Sequence, residues 1–125
     1  MKNQANAIRV PAHLRPYVDV LGVDAAVEFF LAFGGGYAYF SRNPEPQSPI
    51  AAVIGVEHAA ALGRSTGGGT MRVPTAKPFI AGVLRERGLG TSAIARKLHM
   101  SEVAVRRWFA DDPRQLKLFE PTDGD

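Results

Sequence analysis

LGVDAAVEFFLAFGGGYAYFSR, residues 21–42, joins an apolar helical segment to an alternating segment through three consecutive glycines. Apolar side chains recur at helical spacing from Val23 to Phe30, and further aromatic residues make the segment apolar on more than one face. After the glycines, Tyr37 and Tyr39 alternate with apolar residues as in a strand. Because glycine readily adopts the left-handed backbone that ends a helix, the pattern predicts a buried helix, a glycine stop and a short strand.

The same pattern occurs a second time in IGVEHAAALGRSTGGGTMRVPT, residues 54–75. Shifting residues 16–42 by 33 positions aligns them without a gap on residues 49–75, with eight of 27 positions identical. We interpret the two segments as a duplication separated by a turn-rich linker, residues 41–48. Since an isolated two-stranded sheet is marginally stable, the two strands are expected to pair with each other or with those of a second chain.

A phosphate-binding glycine loop is the alternative interpretation of these glycines. A P-loop needs Lys followed by Ser or Thr after its last glycine, and a dinucleotide fingerprint needs a strand before the glycines and a helix after them. Here the order is helix, glycines, strand, and the residues that follow are Tyr37 and Thr70. The order of elements therefore argues against nucleotide binding.

Composition limits the class of protein. The 125 residues, 46% of them hydrophobic, suffice for one compact domain or two very small ones. The sequence has no cysteine, which excludes disulfides and thiolate zinc sites and is typical of a reducing compartment. No apolar run approaches the roughly 20 residues of a membrane span. We expect a soluble protein of the bacterial cytoplasm, associated with the nucleoid and not with a membrane.

Charge divides the chain into three predicted parts. Residues 1–75, the duplicated core, hold six basic and five acidic side chains; residues 76–110 hold seven and two; residues 111–125 hold two and five. Only the middle part is strongly basic, and a clustered positive charge favours a polyanionic partner. The last part is predicted to be a flexible acidic tail.

The basic part contains TSAIARKLHMSEVAVRRWFA, residues 91–110, which has the spacing of a helix-turn-helix. A preceding segment, residues 78–88, predicts a supporting third helix. Thr91 or Ser92 is expected to cap the first helix and Ser101 the second, and His99 stands where the turn usually has glycine. The predicted buried set is Ile94, Ala95, Leu98, Met100, Val105 and Trp108.

The outward face of this motif predicts contacts to double-stranded DNA. A recognition helix at residues 101–110 would enter the major groove, where arginine reads guanine, glutamate accepts from cytosine and valine touches the thymine methyl. The first helix is better placed for phosphates. The predicted DNA-binding residues are Thr91, Ser92, Arg96, Lys97, Ser101, Glu102, Val103, Arg106 and Arg107.

Together, the helix-glycine-strand pattern of residues 21–42 and the following helix-turn-helix resemble the Mor/C transcription activator family of Mu-like phages. The resemblance covers roughly residues 14–110. It implies a phage-derived or prophage-derived activator that binds DNA as a dimer, forms a sheet shared by two chains and recruits host RNA polymerase. Here the dimerisation segment occurs twice, which suggests an intramolecular pseudo-dimer as the alternative to a homodimer. The predicted core and dimerisation residues are Phe30, Phe33, Tyr37, Tyr39, Met71 and Val73.

The tail contains QLKLF, residues 115–119, which resembles the peptide by which bacterial replication and repair proteins bind the sliding clamp. In such a peptide the glutamine hydrogen-bonds and the apolar residues fill pockets. The candidate clamp-binding residues are Gln115, Leu116, Leu118 and Phe119. The alternative is that these apolar residues pack back onto the helix-turn-helix.

The sequence therefore predicts a mostly α-helical α+β fold, with a duplicated helix-glycine-strand core, a small two-stranded sheet and a C-terminal helix-turn-helix. No catalytic constellation, cofactor motif or metal-ligand spacing is recognisable, so the chain is not expected to be an enzyme. The favoured function is a sequence-specific transcription regulator. The alternatives are a replication or recombination accessory that uses the tail to bind the clamp, and a protein-interaction module that has lost DNA binding.

Overall fold

The computed structural model describes residues 9–110. These residues form a mostly α-helical α+β fold with a small two-stranded antiparallel sheet, as predicted. The chain divides into two compact units, Met1–Ile80 and Ala81–Asp125, and the division falls inside a helix. The elements are a 3-10 turn at Ala12–Leu14, helices α1 (Arg15–Phe33), α2 (Pro49–Ile54), α3 (Val56–Thr66), α4 (Lys77–Glu86), α5 (Thr91–Leu98) and α6 (Glu102–Phe109), and strands β1 (Tyr37–Phe40) and β2 (Gly69–Arg72).

The two halves of the first unit have the same backbone course. Helix α1 is broken at Gly22, whose φ of 82° and ψ of 166° lie outside the helical region. In the second half Gly55, 33 residues later, separates α2 from α3 with a φ of 91° and a ψ of 157°. Only glycine adopts this region routinely, so each glycine makes the same elbow between two helical segments.

In each half, the helical segment after the elbow glycine ends at a glycine triplet and leads into a strand, as the sequence predicted. These segments are the second part of α1 and helix α3. The Gly34 N–H donates to Phe30 O at 2.8 Å and closes α1. At the end of α3, Gly67 has the left-handed conformation, with φ 90°, and its N–H donates to Gly63 O at 3.1 Å. The glycines therefore end helices and open strands.

The two strands pair with each other within one chain, so the structure forms the sheet without a second copy. Ala38 is opposite Met71, the residue that corresponds to Ala38 in the second repeat, 33 positions later. On either side of this pair, Tyr37 is opposite Arg72, the counterpart of Tyr39, and Tyr39 is opposite Thr70, the counterpart of Tyr37. The register is therefore symmetric about the Ala38–Met71 pair, as in an isologous interface between two identical subunits.

The core of the first unit contains a cluster of aromatic rings. The Phe29 ring is fully buried and lies 5.7 Å from the Tyr17 ring and 6.0 Å from the Phe40 ring, measured between centroids. The Phe30 ring meets the Phe79 ring edge to face at 6.2 Å. Pairs with this geometry add to the free energy gained by burying their area.

Burial divides the predicted core and dimerisation residues into two groups. Phe30 and Val73 are buried as expected, and Phe33 and Met71 are partly buried. Tyr37 and Tyr39, however, are 70% and 67% exposed. They alternate with the buried Ala38 and Phe40, and side chains of successive strand residues point to opposite faces, so the tyrosines lie outside the core.

The second unit has its own apolar core. Ile94, Ala95, Leu98 and Val105 are buried, as predicted. Met100 and Trp108 are only partly buried, whereas Phe109, which was not predicted, is 7% exposed. The guanidinium carbon of Arg85 lies 4.4 Å from the centroid of the Phe109 ring. Phe109, the next residue along α6, therefore occupies the buried position that was predicted for Trp108.

Candidate nucleic-acid interface

The turn between α5 and α6 depends on His99. This residue has φ 58° and ψ 50°, and it is the only residue other than glycine with a positive φ among residues 9–110. Its N–H donates to Arg96 O at 3.2 Å, and the Met100 N–H donates to Ala95 O at 2.9 Å. These bonds satisfy the last carbonyl groups of α5 and reverse the chain direction. His99 thus adopts the left-handed conformation at the position where the turn of such motifs usually has glycine.

The N-termini of the two helices differ. The Ser101 Oγ accepts a hydrogen bond from the Ala104 N–H at 3.1 Å, so Ser101 caps α6 as predicted. The helix itself runs from Glu102 to Phe109, within the predicted range 101–110. At α5 the capping residue is Gly90, with no side-chain cap bond, and Thr91 is already helical. The prediction that Thr91 or Ser92 caps this helix is therefore wrong.

The outer face of α6 carries the predicted base-reading residues. Glu102, Val103, Arg106 and Arg107 are exposed, whereas Val105 is fully buried. Exposed positions separated by three and four residues lie side by side on a helix, so these four side chains form one contiguous surface. We call this surface the α6 face.

Two polar contacts order side chains at the α6 face and on α5. Arg106 Nη1 lies 3.8 Å from Glu102 Oε1, with both side chains about half exposed at 49% and 52%. On α5, Arg96 Nη1 donates to Ser92 Oγ at 3.3 Å. An exposed pair of this kind contributes little to stability, but it limits the rotamers of the arginine.

The electrostatic character of α5 and α6 is basic. Arg96, Lys97, Arg106 and Arg107 are exposed, against one acidic residue, Glu102. Exposed arginine and lysine side chains neutralise phosphates and displace counterions from DNA. The other predicted contacts, Ser92 and Ser101, are exposed, and Thr91 is partly buried.

A feature that the sequence analysis did not predict is a pocket in the first unit, between β1, the linker 41–48 and the start of α2. Its volume is about 420 Å³. A second pocket, of about 400 Å³, is lined by eight residues, six of which are 33-residue counterparts of residues that line the first. The corresponding residues are Phe33, Ala38, Tyr39, Ser41, Pro49 and Ile50 in the first pocket and Thr66, Met71, Arg72, Pro74, Pro16 and Tyr17 in the second. The two pockets are thus related by the same symmetry as the strands.

Three further observations concern metal ions, membrane spans and the candidate clamp-binding residues. Within residues 9–110, no group of three or more acidic or histidine side chains is arranged to hold a metal ion. In the same range every helix is too short or too polar to cross a membrane. The candidate clamp-binding residues Gln115, Leu116, Leu118 and Phe119 lie outside the described residues.

Comparison with protein-family models, with curated proteins and with solved structures finds no match for this chain. The resemblance to the Mor/C family therefore remains a prediction from the residues that carry it. Arguments about function rest on the geometry of the chain itself.

Proposed function

We propose that the chain binds double-stranded DNA through α5 and α6 and regulates transcription. The observation that supports this proposal is the α6 face: two arginines, a glutamate and a valine are exposed on one side of a short capped helix whose other side is buried. Val103 is 57% exposed, and in the major groove its side chain would be able to contact a thymine methyl.

The helix α5 supplies the sequence-independent part of the proposed interface. Arg96 and Lys97 are exposed in its last turn, and Ser92 is exposed in its first turn. In helix-turn-helix proteins the first helix crosses the phosphate backbone while the second reads bases. We assign phosphate contacts to α5 and base contacts to Arg106, Arg107, Glu102 and Val103.

The pairing of β1 with β2 bears on how many copies act together. Because the symmetric sheet forms within one chain, a single chain carries the arrangement that two subunits would otherwise share. Each such core accompanies one α6 face. We propose that one chain binds one half-site, and that host RNA polymerase is the partner through which binding changes transcription.

The test is selection of bound sequences from random duplex DNA by the full-length protein, followed by fluorescence anisotropy on the selected site. We expect a short shared motif, and at least about tenfold weaker binding by the double variant Arg106→Ala, Arg107→Ala. The matched control is Arg15→Ala, Arg64→Ala, which removes the same charge from exposed positions of the first unit.

The outcomes separate the proposed function from its alternatives. If both double variants weaken binding equally, the DNA contact is general electrostatics and α6 does not read sequence. If the wild-type protein binds no duplex at low salt, the proposal fails and a protein-interaction module becomes the better explanation. The length of the selected motif reports whether one or two recognition helices act together.

A further inference from the structure

The pocket beside β1 has the size and lining of a small-molecule site. Its volume of about 420 Å³ falls in the range in which proteins bind small ligands. Ala38, Ile50 and Ala59 line it with side chains that are at most 8% exposed, so the pocket reaches down to the core. It lies wholly within the first unit.

Aromatic rings form part of its wall. The Phe33 ring is held 5.5 Å from the buried Phe29 ring, which fixes its position. Tyr39 contributes a ring that is 67% exposed. Tyr37 also lines the pocket, but its ring already lies 5.9 Å from the Arg72 guanidinium carbon. Phe33 and Tyr39 are therefore the better candidates to face a ligand.

The linker adds one negative charge. Among the described residues, Glu45 is the only charged side chain that lines this pocket. The linker is folded around it, because the Ser48 N–H and Oγ both donate to Glu45 O, at 3.0 and 2.8 Å. Gln47 Nε2 donates to Glu45 Oε1 at 2.7 Å, which orients the carboxylate.

The symmetry-related pocket provides an internal comparison. Thr66 stands where the first pocket has Phe33, and Arg72 stands where it has Tyr39. His13 also lines the second pocket. The two symmetry-related pockets therefore differ in chemistry: the first combines aromatic rings with a carboxylate, and the second presents a guanidinium.

We propose that the pocket beside β1 binds a small organic cation that carries a flat apolar body. The apolar body packs on the buried floor, and the positive group is attracted both by the face of an aromatic ring and by the Glu45 carboxylate. Aromatic rings with a nearby carboxylate are the chemistry that recognises alkylammonium ions, and an anion is disfavoured by the same charge. This ligand site is separate from the DNA-binding function proposed above.

The test is to titrate the full-length protein with benzyltrimethylammonium and, in a separate experiment, with phenylmethanesulfonate. Two-dimensional amide NMR spectra monitor each titration. We expect saturable shifts confined to amides near residues 38–50 and 59, and only with the cation. Glu45→Gln and Tyr39→Leu each should weaken binding about threefold to tenfold. Thr66→Ala, at the counterpart of Phe33 in the second pocket, should leave the affinity unchanged.

Three results would overturn the proposal: no saturable shift, equal shifts with the sulfonate, or unaltered affinity in both Glu45→Gln and Tyr39→Leu. Both altered residues are exposed, so their variants should fold, and unchanged amide positions elsewhere in the spectrum verify it. DNA binding is measured in a separate assay on the same protein, so either proposal can fail while the other holds.

Discussion

Ala38 of β1 pairs with Met71 of β2, and each is the other's counterpart in the 33-residue repeat. A residue that faces its own equivalent marks the axis of a twofold arrangement, here formed inside a single chain. The sheet register, the glycine elbows and the two pockets all obey this symmetry. A duplicated segment has thus built, within one polypeptide, an interface of the kind that two subunits make.

The elbow glycines should resist substitution. Gly22 and Gly55 have φ and ψ values that side-chain-bearing residues almost never adopt. We expect Gly22→Ala and Gly55→Ala each to lower the free energy of unfolding by about 1 to 3 kcal/mol. Gly82→Ala is the control, because Gly82 lies inside α4 without a positive φ and with open space around it, so it should stabilise by about 0.5 to 1 kcal/mol. Urea denaturation measures the free energy of unfolding of all three variants. Equal effects in the three would contradict the requirement for glycine at positions 22 and 55.

A steric contact makes Gly63 equally sensitive for a different reason. It lies in α3 with the linker backbone against it, and an added Cβ would overlap the carbonyl of Ser41 and the nitrogen of Arg42. Since both neighbours are backbone atoms, the linker must move. We expect Gly63→Ala to destabilise by about 2 to 3 kcal/mol, measured by thermal unfolding. If Gly63→Ala lowers stability less than Gly82→Ser does, the linker backbone moves away from the added Cβ at little energetic cost.

The effect of substitutions at His99 on stability is expected to depend only on how readily the new residue adopts a left-handed backbone. Its left-handed conformation costs a residue with a side chain roughly 1 kcal/mol, and more for a β-branched one. His99→Gly should therefore raise the melting temperature or leave it unchanged, and His99→Val should lower it. If the two variants melt alike, backbone preference at this turn does not affect stability; if both melt below wild type, the imidazole makes a stabilising contact.

The pH dependence of stability should report on Tyr17. Burial raises the pKa of Tyr17 above its ordinary value of 10.0. The unfolded chain therefore ionises first, so this residue's contribution to stability is complete below pH 10.0 and is lost as the pH rises above it. Tyr17→Phe keeps the ring but cannot ionise. We expect wild type to lose stability relative to Tyr17→Phe in urea unfolding as the pH rises above 10.0. If the stability difference between wild type and Tyr17→Phe does not change with pH, burial does not raise the pKa of Tyr17.

Glu102 should affect sequence preference more than stability. Its ion pair with Arg106 is about half exposed, so Glu102→Gln should change the free energy of unfolding by less than about 0.5 kcal/mol. In the proposed interface the same change replaces the charged acceptor for cytosine by a neutral amide that can also donate, and it frees an arginine. We expect the selected DNA motif to change at one or two positions while the overall affinity stays similar. An unchanged motif would place Glu102 outside the base-reading surface.

Local rules account for much of the fold. Glycine triplets ended helices and opened strands, Ser101 capped α6, and His99 took a left-handed turn, because each outcome depends on a few neighbouring residues. The exposed positions of α6 followed from helical periodicity in the same way. The expected cap on α5 was wrong because Gly90 begins the helix one residue earlier than a side-chain cap at Thr91 would allow.

By itself, the sequence determined the duplication, the mostly helical α+β class and the order of its elements, since these depend on repeated residues and local periodicity. Only the tertiary structure decided which face of the sheet is buried, and it left Tyr37 and Tyr39 outside, because alternation defines two faces without saying which one meets the core. It also decided that β1 pairs with β2 about the Ala38–Met71 axis, and that the linker folds Glu45 against the aromatic pocket. Pairing and pocket both join residues far apart in the chain, whose separation in space no local pattern specifies.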